Sequence, residues 1–396
     1  MKGYTATSPD GEAIYYVDRK RWLWALSVVY PLQPLLGIWL HAHTGNEAWL
    51  FLPLLLNYGL APLIDWLIGE DHNNPPEAVI MQLDRDPYYR RLTWIVVPLH
   101  FVALIGTAWY AGTQELSLGA VLGLAVIAGM VSGLAINTGH ELGHKNSAVE
   151  KRLAKIVLAV AAYGHFTIEH NRGHHRDVAT PGDPASARMG ESIYRFALRE
   201  IPGAIRRGWA FEKERLNRRG KSAWHPDNQI LQSYALTALL SVVLIAAFGW
   251  LMIPFLLVHN FFAWWQLTSA NYIEHYGLLR TRDDSGKVEP CQPHHSWNSN
   301  HVFSNLVLFH LERHSDHHTH PLRRYQSLRH YENLPQLPSG YFGAYLLAYV
   351  PPLWFRVMDP RLLTLPHVQG DLDRINIHPP AQDSILERYG RGTGIG

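Results

Sequence analysis

Four short stretches of this chain carry histidines at spacings that make chemical sense only together. They are His140-Glu141-Leu142-Gly143-His144-Lys145, Glu169-His170-Asn171-Arg172-Gly173-His174-His175, Glu274-His275-Tyr276-Gly277 and Glu312-Arg313-His314-Ser315-Asp316-His317-His318. On a helix, residues i and i+4 lie about 40° apart around the axis and project from one face. His140/His144, His170/His174 and His314/His318 have this spacing, so each pair can grip one ion from one side. The doubled histidines, His174-His175 and His317-His318, diverge by about 100°, which suits reaching two neighbouring ions. Nine imidazoles exceed the roughly six donors of one octahedral ion. If all nine are ligands, two metals follow by counting.

Each box also sets a carboxylate beside a histidine: Glu141, Glu169, Glu274, Glu312 and Asp316. Metal-bound imidazoles commonly donate their second N–H to such groups. Spacing leaves open whether some of these carboxylates bridge or ligate the metals directly. Imidazole suits Zn, Cu, Fe and Ni alike. The one cysteine, Cys291, excludes an internal disulfide and a cysteine-ligated cluster. Read by itself, His140-Glu141-x-x-His144 is also the zinc-protease signature, with the glutamate as general base. That reading leaves the other seven histidines idle. His294, His295 and His301 flank Trp297 and suit a lid, support behind the ligands, or plain solvation, whereas His100, His165, His259 and His310 suit packing near the interface.

The elements that must hold the boxes follow from hydropathy and charge. Stretches 22–69, 93–137 and 230–270 contain no Lys or Arg, and each is long enough for two crossings at roughly 20 apolar residues per helix. Transmembrane helices are expected near 22–41, 47–68, 93–111, 116–137, 230–248 and 250–270. The expected fold is all-α and integral to the membrane: six transmembrane helices with a cytoplasmic cap carrying a histidine-rich di-metal site. No cleavable signal peptide is expected in the polar first 21 residues.

All 35 Lys and Arg fall in 1–21, 70–92, 138–229 and 271–396, and the turns His43–Asn46, Gly112–Glu115 and Phe248–Trp250 hold none. The positive-inside rule then places both termini and the large loops in the cytoplasm. The chain divides into a cytoplasmic N-terminal segment (1–21), helices one to four (22–137), a cytoplasmic insertion with the first two boxes (138–229), helices five and six (230–270) and a cytoplasmic C-terminal region with the last two boxes (271–396). All four boxes then meet one face. A metal transporter would instead hold its ligands near mid-bilayer. No nucleic-acid partner is expected, and the glycine-rich tail 388–396 is expected to be flexible.

In this order and on this topology, the boxes resemble those of the membrane alkane monooxygenases. That family's patterns HExxHK, EHxxGHH, NYxEHYGL and LxRHxxHH read here as HELGHK (140–145), EHNRGHH (169–175), NYIEHYGL (271–278) and LERHSDHH (311–318). The resemblance covers roughly residues 15–375, and the HYG box separates it from the related fatty-acid desaturases. It implies that the nine box histidines bind two irons and that O2 is the co-substrate. It implies hydroxylation of the terminal methyl of a medium-chain alkane. It also implies rubredoxin as electron donor, fed by rubredoxin reductase, and a bacterial inner membrane as location. Related acceptors, aromatic side chains or fatty-acyl chains, would share the mechanism and differ in the channel.

A physical reading runs parallel. O2 activation needs two electrons beyond those of the C–H bond, and the chain has no Cys-x-x-Cys pair, dinucleotide fingerprint or haem motif. A separate carrier must then dock. Segment 195–221 holds nine Lys or Arg against three Glu, a net of +6. It either steers an acidic carrier or lies on anionic lipid. Alkanes partition into the bilayer, so a channel between helices, open to lipid, would suit them. Asn57 and Asp65 interrupt the apolar run of helix two; Asn57 is the candidate channel residue, with hydrogen bonding between helices as the alternative.

Overall fold

The structure, a computed structural model, describes residues 2–8 and 10–390. Five helices are long and apolar enough to cross a membrane: Leu23–Thr44 (α1), Glu47–Ile68 (α2), Pro87–Thr113 (α3), Leu118–Gly143 (α4) and Gln229–Phe248, with Ala148–Val160 (α5) and Ile193–Asn217 (α6) lying between the last two. Gln229–Phe248 is therefore α7. Met252–His275 (α8) is a further continuous helix of 24 residues. It matches the others in length but is not apolar enough to count with them, because it carries polar residues such as Asn260, Gln266, Asn271 and Glu274. The chain is a multi-pass membrane protein.

Helix ends differ from the sequence expectation in one consistent way. α3 begins at Pro87 rather than 93, α4 runs to Gly143 rather than 137, and α8 runs to His275 rather than 270. The third box is thus the last turn of α8 and not a loop after it. Hydropathy stops at the apolar stretch, but α4 and α8 continue because their polar ends are buried, and α3 starts earlier because Asp86 caps it ahead of Pro87. Prolines are absorbed by irregular turns: α1 passes Pro31 in a tight 3-10 turn, and α2 widens into a π-turn at Leu56–Leu60 after Pro53.

α4 and α8 are the central pair. Gly129 and Gly133, four residues apart on α4, let the two backbones approach; a Cβ on Gly129 would sit 2.3 Å from the His259 carbonyl oxygen, and one on Gly133 2.4 Å from the Gln266 Cβ. Ser132 hydrogen-bonds His259 Nε2 between them at 2.8 Å. Gly129→Ala is expected to lower the thermal stability of the solubilised protein by roughly 1–3 kcal/mol, since a backbone carbonyl cannot rotate away. Gly119→Ala, at an open position, is the control that should melt like the parent.

Two hairpin turns use left-handed glycines, Gly45 after α1 (φ 70°) and Gly249 between α7 and α8 (φ 84°). α5 is no crossing; its 13 residues pack along α4 and α7, with Ser233 and Thr237 hydroxyls donating to the Lys155 and Ala159 carbonyls. The first 21 residues are more than a polar tail: Gly3–Thr7 and Ala13–Val17 pair antiparallel as a hairpin (β1, β2). Tyr4 and Arg21 hold Asp86, which caps the start of α3. At the other end, a helix over Gln382–Tyr389 takes up the start of the segment expected to be flexible, and 391–396 lie outside the described residues. One apolar core fills the space between α1, α3, α4, α7 and α8; a second, around Tyr272, Tyr276, Trp297, Tyr341 and Trp354, supports the last two boxes.

Candidate metal centre

All nine box histidines come together in two adjoining groups. His140, His144, His170, His175 and His317 form one, and His174, His275, His314 and His318 the other; within each group the candidate donor atoms lie within 4.8 Å of one another. The expected split of the doubled histidines is what the geometry gives: His175 and His317 face one group, His174 and His318 the other. The expected pairing of His170 with His174 is not. Their box is not a regular helix. Phe166–Glu169 leads into a wide π-turn over His170–His174 before His175–Asp177. With one extra residue in the turn, His170 lines up with His175, five positions on, and His174 swings to the other group.

The donor set suits metal ions. Imidazole Nε2 atoms converge at close range: His140 to His317 at 2.9 Å, His175 to His170 and to His317 at 3.1 Å, His318 to His314 at 3.0 Å, and His314 to His275 at 3.2 Å. Bonds of about 2.1 Å from one ion to two imidazoles at right angles set their nitrogens about 3 Å apart. The buried Nε2 atoms of His144 and His174 have no hydrogen-bond partner at all. Burial, reinforced by neighbouring imidazoles, pushes His144, His170, His175, His314, His317 and His318 well below the usual histidine range. They are held neutral, the form that binds metal.

The carboxylates that back the imidazoles are not the ones in the boxes. Glu141 lies 3.1 Å from Lys145. Glu169 accepts from Arg207. Asp316 takes Arg323, His320 and Tyr331. Glu312 accepts the Tyr341 backbone N–H. Only Glu274 approaches a box imidazole, 3.4 Å from His314 Nε2, while accepting the Tyr341 hydroxyl at 2.9 Å.

The second N–H of His174 goes instead to Asp183 at 2.8 Å, and His275 Nδ1 is 3.1 Å from the His295 carbonyl. Asp183 also accepts from Arg207 (2.6 Å) and Ser186 (2.7 Å). Burial alone would lower His174, but the Asp183 carboxylate outweighs it and raises it; the same pairing holds Asp183 well below the usual carboxylate range. Sequence reasoning missed Asp183 and Arg207, which lie in a loop and on α6, outside any box. Gly173 is the trace they leave: a Cβ there would meet the Arg207 Nε at 2.6 Å, so the guanidinium in its present place uses the room that glycine leaves.

A cavity leads away from both groups. His140, His170 and His314 stand at it, Met130, Leu134, Leu267 and Phe342 give it an apolar wall, and Glu274 and Asn57 also line it. Asn57 borders the cavity, and its amide is committed, donating to Gln33 and to the Pro53 carbonyl while accepting from Tyr30. Asp65 is structural, accepting the Ser304 N–H at 3.0 Å.

Comparison with known proteins adds independent findings. Residues 116–352 match the fatty acid desaturase family. Over 382 residues the chain is 55% identical to alkane 1-monooxygenase 1 of Alcanivorax borkumensis, covering 96% of this chain and 94% of that one. It is 56% identical over 379 residues to the alkane 1-monooxygenase of Ectopseudomonas oleovorans, with the same coverage. The hydroxylase component of a xylene/toluene monooxygenase from Pseudomonas putida is more distant, 28% identical over 70% of this chain.

Proposed function

This chain belongs to the alkane 1-monooxygenases, membrane oxidoreductases with a histidine-rich metal site, and from that premise we propose that it hydroxylates the terminal carbon of medium-chain n-alkanes at two irons, using O2 and electrons from rubredoxin. The observation that carries the reading is the meeting of nine imidazoles, in groups of five and four, at the end of an apolar cavity. In the reading, His140, His144, His170, His175 and His317 hold one iron, and His174, His275, His314 and His318 the other. Bound there, the irons would supply the redox chemistry that reduces O2 and breaks the C–H bond.

The rest is done by the chain's own residues. Asp183 fixes the proton of His174 on Nδ1 and so aims its Nε2 lone pair. The His295 carbonyl does the same for His275. The apolar wall receives the alkyl chain and keeps water away from the imidazoles. An alkane arriving from lipid gains little from burial in this cavity, since it leaves one hydrocarbon phase for another. Selection by length must therefore come from shape. Glu274 is the acid that stands at both the cavity and a box imidazole, and is proposed to hold a proton near the reacting end; Glu169 acts at one remove, through Arg207 and Asp183, while Glu141 and Asp316 are paired with Lys145 and Arg323. The chain is proposed to cross the bacterial inner membrane six times, α8 being the sixth crossing, with the boxes and both termini in the cytoplasm.

Metal analysis together with NADH-driven turnover of octane, with rubredoxin and its reductase supplied, tests this. Two irons per chain and 1-octanol are the expected result. One zinc, or xylene hydroxylated in preference to octane, would overturn it. Asn57→Trp should shift the product profile toward shorter alkanes, because the indole fills part of the cavity. Asn57→Leu, which also loses the amide's hydrogen bonds but adds little volume, should not. Gas chromatography of a mixed-alkane turnover reads both.

A further inference from the structure

The positive charge of segment 195–221 is largely cancelled within the fold. Arg199 pairs with Glu191, Arg207 with Glu169 and Asp183, Arg215 with Glu212, Arg218 with Glu214 and Lys221 with Asp227. The uncompensated charge that gathers in one place comes mostly from neighbouring elements. Lys151, Arg152 and Lys155 on the first two turns of α5, Arg172 in the second box and Arg219 just past α6 face two adjoining recesses that share Lys151, Lys155 and Gln229. None of these five cations makes an ion pair among the described residues; Lys155 has only the Gln232 amide oxygen, at 2.9 Å. Its pKa is lowered by burial, and Arg215 and Arg152 push the same way against Glu212. Asp227 also lines the second recess but is paired with Lys221, so these cations stay in excess over the acid beside them.

The groove also has a depth. Ser233 and Thr237 tie the Lys155 and Ala159 carbonyls to the first turns of α7, a helix apolar enough to cross a membrane. The cations of α5 are therefore level with the point where α7 leaves the hydrocarbon. Beside them Trp224, 75% exposed, packs against Trp209 with ring centroids 5.1 Å apart, and indoles favour that level of a bilayer. Tyr194, Leu198 and Ile205 continue from Trp209 along α6 as an exposed apolar stripe at helical spacing, the pattern of a helix lying in the interface. Below the groove, Leu239, Val242 and Val243 of α7 are exposed, a face fit for acyl chains.

We propose that this groove holds the phosphodiester headgroup of an anionic phospholipid, with the α6 stripe seated in the bilayer interface next to it. Charge would favour any phosphate. The flanking indoles and the apolar face beneath favour one that carries acyl chains.

The test uses the full-length, metal-loaded protein, delipidated in detergent, with phosphatidylglycerol or phosphatidylcholine added back. Native mass spectrometry and thermal melting are the readouts. Phosphatidylglycerol should remain bound and raise the melting temperature, and phosphatidylcholine should do neither. The triple substitution Lys151→Gln, Lys155→Gln, Arg219→Gln should weaken phosphatidylglycerol binding at least about tenfold, given the attraction each surface cation contributes. If that variant melts early without lipid, Lys155→Gln and Arg219→Gln are read singly, each expected to weaken binding several-fold. Four results would overturn the proposal. Phosphatidylcholine could act like phosphatidylglycerol, or the variants could bind the anionic lipid as the parent does. Glycerol 3-phosphate could stabilise equally at the same concentration, which would mark a soluble-anion site. The variants could leave lipid binding intact while raising the KM for an acidic electron-carrier protein, which would mark a protein-docking face.

Discussion

Alanine at His314 is expected to cut alkane hydroxylation by roughly a thousandfold or more and to lower metal content from two ions toward one per chain. His314 belongs to the smaller group, so its loss leaves three imidazoles there. It is also the hub of that group, with His275 Nε2 at 3.2 Å and His318 Nε2 at 3.0 Å. His144→Ala is the instructive comparison. It removes one of five donors, leaves four, and should lose less metal. Elemental analysis of the folded fraction, beside alcohol yield, separates the two. Equal metal loss in both variants would mean that the five-and-four partition does not describe the loaded site.

Asp183→Asn is expected to have the next largest effect, at a residue outside every histidine box. The substitution keeps the shape and removes the charge. It leaves His174 without its anionic partner and turns an amide toward either His174 or Arg207, whose donors both point at the present carboxylate. Loss of such a backing group typically weakens metal binding 10–100-fold. Stability should fall too, because an ion pair buried to this degree leaves an uncompensated charge when one partner goes. Arg207 retains Glu169, which limits that loss. The decisive readout is metal retained by folded protein during a chelator titration. Arg207→Lys should fall between parent and Asp183→Asn, since lysine keeps the charge but cannot reach Glu169 and Asp183 together. An Asp183→Asn protein that resists chelator like the parent would make Asp183 a packing residue only.

Much of the centre was legible because its chemistry is written locally. Histidines three, four and one residue apart in four clusters disclose a shared task wherever the chain takes them. The crossings were legible because hydrocarbon demands long runs without Lys or Arg, and the expected spans differ from the helices mainly where polar ends continue into the site. Three features were hidden for physical reasons. The partition of ligands depends on the backbone path through His170–His174, which residue spacing does not encode. The backing carboxylate lies nine residues from His174 and is reached by a loop, whereas acids adjacent in sequence point away along the helix toward Lys145, Arg207 and Arg323. Net charge per segment also misled. Five of the nine cations of 195–221 meet acids, three of them acids from outside the segment, and the groove beside α7 collects free cations from three separate stretches only in three dimensions.

The widened turn in the second box has a consequence for anyone who would rebuild this chemistry on a new scaffold. Copying the nine imidazoles onto ideal helices would return His170 and His174 to one side and strand His175, giving one crowded pocket and one starved one. The irregular backbone is part of the recipe and has to be transplanted along with the side chains. A glycine at position 173 must go with it, so that a neighbouring helix can still come close enough to brace the result.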